Sequence, residues 1–295
     1  MPFAGEGIYT IQNVNGLAVD LHGGSPNDGT KIQGYKMWPM SDAACLGQLW
    51  LVKRVPLANG IRYTLQNLRG GTYMDLQRGS SANGTPVIGH QLSITNGTLA
   101  QNQQWEMFDL GIGIYRFRNY MAQTFLDLDG GRDKNETKIQ GWSGDDPNNG
   151  HQRWTMTQRS MHFAQIDPIL RANQFVITKA DLHGYNLDTI YFILDNLLLE
   201  AIWKVAGLNA GMHRPELFDS DDFAMAFKSQ VAKWGQENIR ASGLSILCGF
   251  MVGSNPQGNK HGYNWSLSNN EVVFIEPQTG GFAITLGYIG EWGIY

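Results

Sequence analysis

The sequence predicts two domains of different class, an all-β domain over residues 1–158 and an α+β domain over residues 159–295. Three observations carry this reading. A pattern of about fifty residues occurs three times and stops after Trp154. Glycine supplies 36 of the 295 residues, well above the average of about 7%, which implies many tight turns and short strands. Downstream, apolar residues at 223, 226, 227, 231 and 234 form one stripe at helical spacing.

The three copies open with "IYTIQNVNGLAVDLHGG", "RYTLQNLRGGTYMDLQRG" and "IYRFRNYMAQTFLDLDGG". Tyr9, Tyr63 and Tyr115 align, as do Asp20, Asp75 and Asp127, the aspartates being 55 and 52 residues apart. Strands alternate with Gly, Asn and Ser turns. One unit of this size cannot close a sheet, but three can. Each copy ends in Gln-x-Trp, at Gln48 and Trp50, Gln103 and Trp105, Gln152 and Trp154. The Trp ring is expected in the shared core and the Gln amide on buried backbone groups, so the motif reads first as scaffold. This threefold Gln-x-Trp pattern resembles the β-trefoil of the ricin-B-type lectins over residues 5 to 158.

A sugar offers hydroxyls on one side and a weakly apolar face on the other, so a site for it wants a carboxylate acceptor, amide or imidazole partners and one ring. Each copy has such a set. The third offers Asp127, Trp142, Asn148, Asn149, His151 and Gln152; the second Asp75, His90, Asn102 and Gln103; the first Asp20, Tyr35 and Gln48. Each Asp precedes Leu and a turn, where its carboxylate is expected to point outward. The first copy carries Gly47 where the third has His151, so it is expected to be the weak or empty one. A single Asp could equally be a turn residue bonding its own backbone. Three at matching positions favour binding, and several shallow sites per chain would act through avidity.

The formal charge of -4 and the absence of a basic stripe argue against a nucleic-acid partner. No run approaches about 18 apolar residues, and the start "MPFAGEGIYTIQNVNG" has no signal-peptide pattern, so cytosolic synthesis without membrane insertion is expected. Cys45 and Cys248 give neither a disulfide framework nor a metal spacing. Cys248 lies in "GLSILCGFMVG", which reads as one buried strand and makes it a small core residue. The segment "DTIYFILDNLLLEAIWKVAGL" reads as a hairpin followed by a helix.

In "HGYNWSLSNNEVVFIEP" two alternating runs flank "NN", so a tight hairpin should set Ser268 opposite Glu271. That register brings His261 and Glu276 onto one face, where a carboxylate can orient an imidazole as general base. A slip of one residue would separate them. In "ELFDSDDFAMAFK" a helix is expected to begin with Asp219 or Ser220 as its cap. From the residues alone Ser220 reads as that cap, and the acids around it as a helix N-terminus favoured by the dipole.

The Gln-x-Trp trefoil joined to "FDSDDFAMAFK", "KHGYNW" and "FIEPQTGG" resembles the two-domain mushroom lectins of the Marasmius oreades agglutinin type over the whole chain. The resemblance implies that the second domain is a calcium-dependent, papain-like cysteine protease that also forms a homodimer. In that family the nucleophile is the Cys of a "DCDD" motif, the base a His ahead of Tyr-Asn, and the third member the Glu of a Glu-Pro-Gln motif. Those positions are Ser220, His261 and Glu276 here, with Asp221 and Asp222 as candidate calcium ligands. A hydroxyl at the nucleophile position departs from the pattern and implies a disabled protease. The alternatives are an active hydrolase using Ser220 or a domain serving assembly alone. The resemblance further implies galactose-containing glycans as ligands, sialylated galactose among them, met on glycoproteins or glycolipids of target-cell surfaces.

Overall fold

The computed structural model describes residues 3–56, 60–95, 97–144, 146–184, 189–211 and 213–295. They form two units, one running to Arg159 and including Ile239–Ser242, the other comprising Ser160–Asn238 and Gly243–Tyr295.

In the first unit every repeat contributes four principal strands. They are β1 Gly7–Asn13, β2 Ala18–Leu21, β3 Thr30–Tyr35 and β4 Leu49–Arg54; then β5 Tyr63–Asn67, β6 Tyr73–Leu76 and β7 Thr85–His90. After a small ribbon of β8 Ile94–Thr95 and β9 Thr98–Leu99 come β10 Trp105–Asp109, β11 Ile114–Asn119, β12 Phe125–Leu128, β13 Thr137–Trp142 and β14 Trp154–Gln158. Strands β1, β4, β5, β10, β11 and β14 pair antiparallel into a closed ring. The hairpins β2–β3, β6–β7 and β12–β13 form the rest, and β3, β7 and β13 pair with one another. The result is the expected β-trefoil, whose closure leaves no open sheet edge in the ring.

Repetition extends to the core. Trp50, Trp105 and Trp154 are fully buried, and their indole N–H groups donate to the carbonyls of Val19, Met74 and Leu126 at 2.9, 3.0 and 3.1 Å. Each of those carbonyls belongs to the residue just before the repeat's aspartate. Asn13, Asn67 and Asn119 are also buried, and each donates its amide to backbone at the Gln-x-Trp turn of a neighbouring repeat while its oxygen accepts from its own following turn. Phe3 breaks the symmetry. Its ring lies 5.3, 5.4 and 6.0 Å from those of Tyr9, Tyr63 and Tyr115, so one side chain touches all three copies.

The second unit begins with β15 Ser160–His162, α1 Phe163–Ala172, β16 Val176–His183, β17 Ile190–Phe192, α2 Asn196–Ala206 and α3 Ser220–Asn238. It ends with β18 Leu244–Ile246, β19 Gly249–Ser254, β20 Lys260–Ser268, β21 Glu271–Glu276, β22 Gly281–Ala283 and β23 Ile289–Ile294. A six-stranded sheet runs β16-β23-β19-β20-β21-β22, and a smaller one β15-β17-β18. Helix α3 buries Phe223, Ala224, Phe227 and Val231. Asn264 on β20 donates to Ala224 O at 2.9 Å and to Gly249 O at 3.1 Å, tying helix to sheet. None of the described helices is long and apolar enough to cross a membrane.

Two local expectations are corrected. The segment 189–208 holds no hairpin but a single strand, β17, and then α2, because Asp195 caps the helix by accepting from Leu197 N at 2.9 Å instead of turning a β-loop. "GLSILCGFMVG" is two strands, β18 in the small sheet and β19 in the large one, with Leu247 and buried Cys248 as the crossover. Apolar continuity does not reveal a change of sheet. The β20–β21 hairpin has the expected register, Ser268 opposite Glu271 and Asn264 opposite Ile275.

Candidate functional sites

In every repeat the strand carrying Asp leads into a short turn with a residue at positive φ, Gly23, Arg78 or Gly130. The chain therefore reverses directly beside the carboxylate. The expectation that these carboxylates point outward is corrected: Asp20, Asp75 and Asp127 are only 6%, 4% and 3% exposed. Burial without a full counter-charge raises all three carboxyls above their ordinary range, Asp75 from 3.8 to about 6.

Amides hold them. Gln33 Nε2 donates to Asp20 Oδ1 at 3.0 Å. Gln140 and Gln152 each donate to Asp127 at 3.2 Å. In the second repeat Ile88 stands where Gln33 and Gln140 stand in the others, and Asn102 Nδ2 instead reaches both oxygens of Asp75 at 2.9 and 2.8 Å. The Gln of each Gln-x-Trp is buried and bonds backbone at or just after the ring position. Gln48 joins Trp38 N and Lys36 O, and Gln103 joins Ser93 N and Gln91 O. Gln152 donates to Trp142 O, and its oxygen accepts from buried Arg116.

Above Asp20 lies a pocket of about 320 Å³ lined by Gln33, Tyr35, Trp38, Gly47, Arg69 and others. The Tyr35 and Trp38 rings stack with centroids 6.0 Å apart and planes 12° off parallel. The first repeat, expected to be weakest, thus has a formed pocket and a second ring that Gly47 does nothing to obstruct. Above Asp75 a pocket of about 460 Å³ is lined by His90, Asn102, Arg78 and Asp28. His90 Nε2 lies 3.6 Å from Asp28 Oδ2 there. In the third repeat Trp142 is 40% exposed. Asn149 accepts from His151 N at 3.1 Å and Asn148 N donates to Asp146, so both asparagines shape the turn. Sequence reasoning missed Trp38, Gln33, Gln140, Arg69 and the three buried asparagines. The asparagines were visible as matching columns, "IQN", "LQN" and "FRN".

The second unit pairs His261 with Glu276 and sets Ser220 against Gly262, the residue after His261. His261 Nε2 lies 2.6 Å from Glu276 Oε2, the carboxylate's other oxygen accepting from Gln278 N at 3.1 Å. This pairing commits one ring nitrogen to Glu276 and leaves Nδ1 as the one that can exchange a proton. The imidazole stacks on Tyr288 with centroids 4.7 Å apart. Ser220, the first residue of α3, accepts from Gly262 N at 3.0 Å. Gly262 permits this because any Cβ there would lie 2.5 Å from Asp221 Cα. Ser220 is thus the first helical residue rather than the cap, and Asp219 just before it donates its N–H to Asp222 Oδ2 at 3.2 Å. Oxygens of Asp219, Asp221 and Asp222 lie within 4.8 Å of one another. Their mutual contact pushes Asp221 above the ordinary carboxyl range and Asp219 below it.

The family described as ricin-type β-trefoil lectin domain-like matches residues 3–90, 88–142 and 101–169, and the family described as agglutinin C-terminal matches residues 191–282. Among solved structures, Polyporus squamosus lectin bound to the human-type influenza-binding epitope Neu5Aca2-6Galb1-4GlcNAc is 30% identical, with 99% of this chain and 100% of that chain covered and a TM-score of 0.85. The PSL1a-E64 complex is likewise 30% identical, over 99% and 100% of the two chains, at a TM-score of 0.84. No curated protein sequence matches significantly.

Proposed function

The chain belongs to the ricin-type β-trefoil lectin family, and from that premise we propose that its first unit binds galactose-containing glycans, including sialylated galactose. One observation carries the reading: a buried carboxylate held by side-chain amides recurs in all three repeats. Keeping an ionisable group there is unfavourable for the unliganded protein, which makes sense if sugar hydroxyls donate to it. The similarity to a lectin bound to a sialylated galactoside supports the class of ligand. On a glycan array the wild type is expected to retain terminal galactosides, and Asp20→Ala/Asp75→Ala/Asp127→Ala to retain none. A blank wild-type array from folded protein would overturn the reading.

The second unit we read as a papain-like protease domain disabled at its nucleophile. Glu276 orients His261, whose Nδ1 would take the proton of a nucleophile at the start of α3, beside the Gly262 N–H. A serine there holds its proton too tightly for a site shaped around a thiolate–imidazolium pair. The three carboxylates at Asp219, Asp221 and Asp222 are hard oxygen donors of the kind calcium takes, and their oxygens lie within 4.8 Å of one another. Bound calcium would neutralise them and order the helix start. Ser220→Cys is expected to gain calcium-dependent peptidase activity that His261→Ala removes, and no gain would leave assembly as the domain's role. Exposed Leu197, Ala201 and Val205 at successive turns of α2 support a homodimer formed through this unit, testable by light scattering.

A further inference from the structure

The three carboxylate sites share a floor, but their rims differ at one position. The last glycine of the turn after each aspartate packs against a side chain from another repeat. Gly24 meets Arg69, Gly79 meets Met121, and Gly131 meets Asn15 as well as His151. Arg69, Met121 and Asn15 each lie two residues after one of the buried asparagines, so they are the same position in three copies. At that position the first site has a cation, the second a thioether and the third an amide.

Arg69 is placed to act on a ligand. It lines the pocket that contains Asp20, Tyr35 and Trp38. Its Nη1 donates to Ala43 O at 3.2 Å, which anchors one edge of the guanidinium. Among the described residues no carboxylate lies within ion-pair distance of it. The rim acid Glu136 is instead 3.5 Å from Lys31. Gly47 completes the arrangement. Asn102 and His151 occupy its place in the other repeats, whereas here a Cβ would stand 3.7 Å from Asp20 Oδ2, so the space over the floor carboxylate stays open for a larger ligand. A guanidinium matches the planar pair of oxygens on a carboxylate and the oxygens of a sulfate ester, while a neutral hexose has no comparable group for it.

We propose that the first pocket is specific for an acidic glycan, a hexose lying over Tyr35 and Trp38 with its attached carboxylate or sulfate ester paired to Arg69. Arg69 is the specificity-determining residue, and the second and third sites, with Met121 and Asn15 there, take neutral sugars. This rests on the lectin reading above and adds where an acid is recognised.

The test uses three probes with one core, N-acetyllactosamine and its sialylated and sulfated forms, titrated against full-length protein. In Asp75→Ala/Asp127→Ala, which leaves the first pocket intact, the acidic-to-neutral affinity ratio should fall at least tenfold on adding Arg69→Met. Met121→Arg in Asp20→Ala/Asp127→Ala should raise that ratio in the second pocket. A fall confined to the sialylated probe identifies the acid as a carboxylate, and one confined to the sulfated probe identifies an ester. An unchanged ratio in both experiments, with thermal unfolding showing folded protein, overturns the proposal. Wild type that binds none of the three probes would instead remove the lectin reading itself.

Discussion

Asp20, Asp75 and Asp127 are held by parts that occur three times, a buried Trp fixing the preceding peptide and a buried Asn stapling the neighbouring turn. Ser220, His261 and Glu276 come from one helix start and one hairpin, each occurring once. A repeated site can vary from copy to copy because two others still serve. A singular site has no such freedom, and on the reading proposed above Ser220 stands where a thiol nucleophile would.

The largest expected effect strikes the shared scaffold. Trp105→Ala should destabilise the first unit by about 4 kcal/mol through the lost ring and the cavity it leaves. If calorimetry instead shows a loss below about 1 kcal/mol, the repeats do not depend on their common core.

Next comes Asp75. Its carboxyl is ordinarily near 3.8 and burial raises it to about 6, so the folded state binds the proton more tightly than the unfolded one. The resulting stability, about 3 kcal/mol, is fully present below pH 3.8 and lost as pH rises through about 6. Asp75→Asn should flatten that slope in urea titrations across this window. Glycan binding at the second pocket needs the ionised acceptor and should fall below pH about 6.

Gly262→Ala probes the singular site. A methyl group pressed on the Asp221 backbone should cost about 2 kcal/mol and, in Ser220→Cys protein, abolish any activity gained. Activity retained there would show that the close approach is not needed. Trp38→Ala should weaken first-pocket binding about fivefold, near 1 kcal/mol for a lost ring face, as read by titration. Lys31→Ala should shift stability by no more than about 0.5 kcal/mol in a thermal melt, because both partners of its pair with Glu136 are half exposed.

The repeats, the trefoil and the β20–β21 register were legible in the sequence because each rests on local periodicity or on threefold recurrence. The burial of the aspartates was not, because it depends on Gln33 and Gln140 in the neighbouring strand. The second repeat replaces that amide by Ile88, whose meaning becomes visible only when the hairpin is paired. Trp38 escaped notice because it has no counterpart ring, Ser93 standing at its place. In the second unit alternation predicted the His261–Glu276 pairing, while the crossover at Cys248 left no mark in an unbroken apolar run.

The exposed rings have a practical consequence. Trp38 and Trp142 are 37% and 40% exposed beside the first and third aspartates, whereas Trp50, Trp105 and Trp154 are wholly enclosed. Sugar settling on the first or third repeat would alter the emission of an indole at that spot, and quenchers added from solution would compete with it. The second repeat, whose ring is His90, would fill in the dark, so fluorescence and calorimetry on one sample would count different sets of occupied repeats.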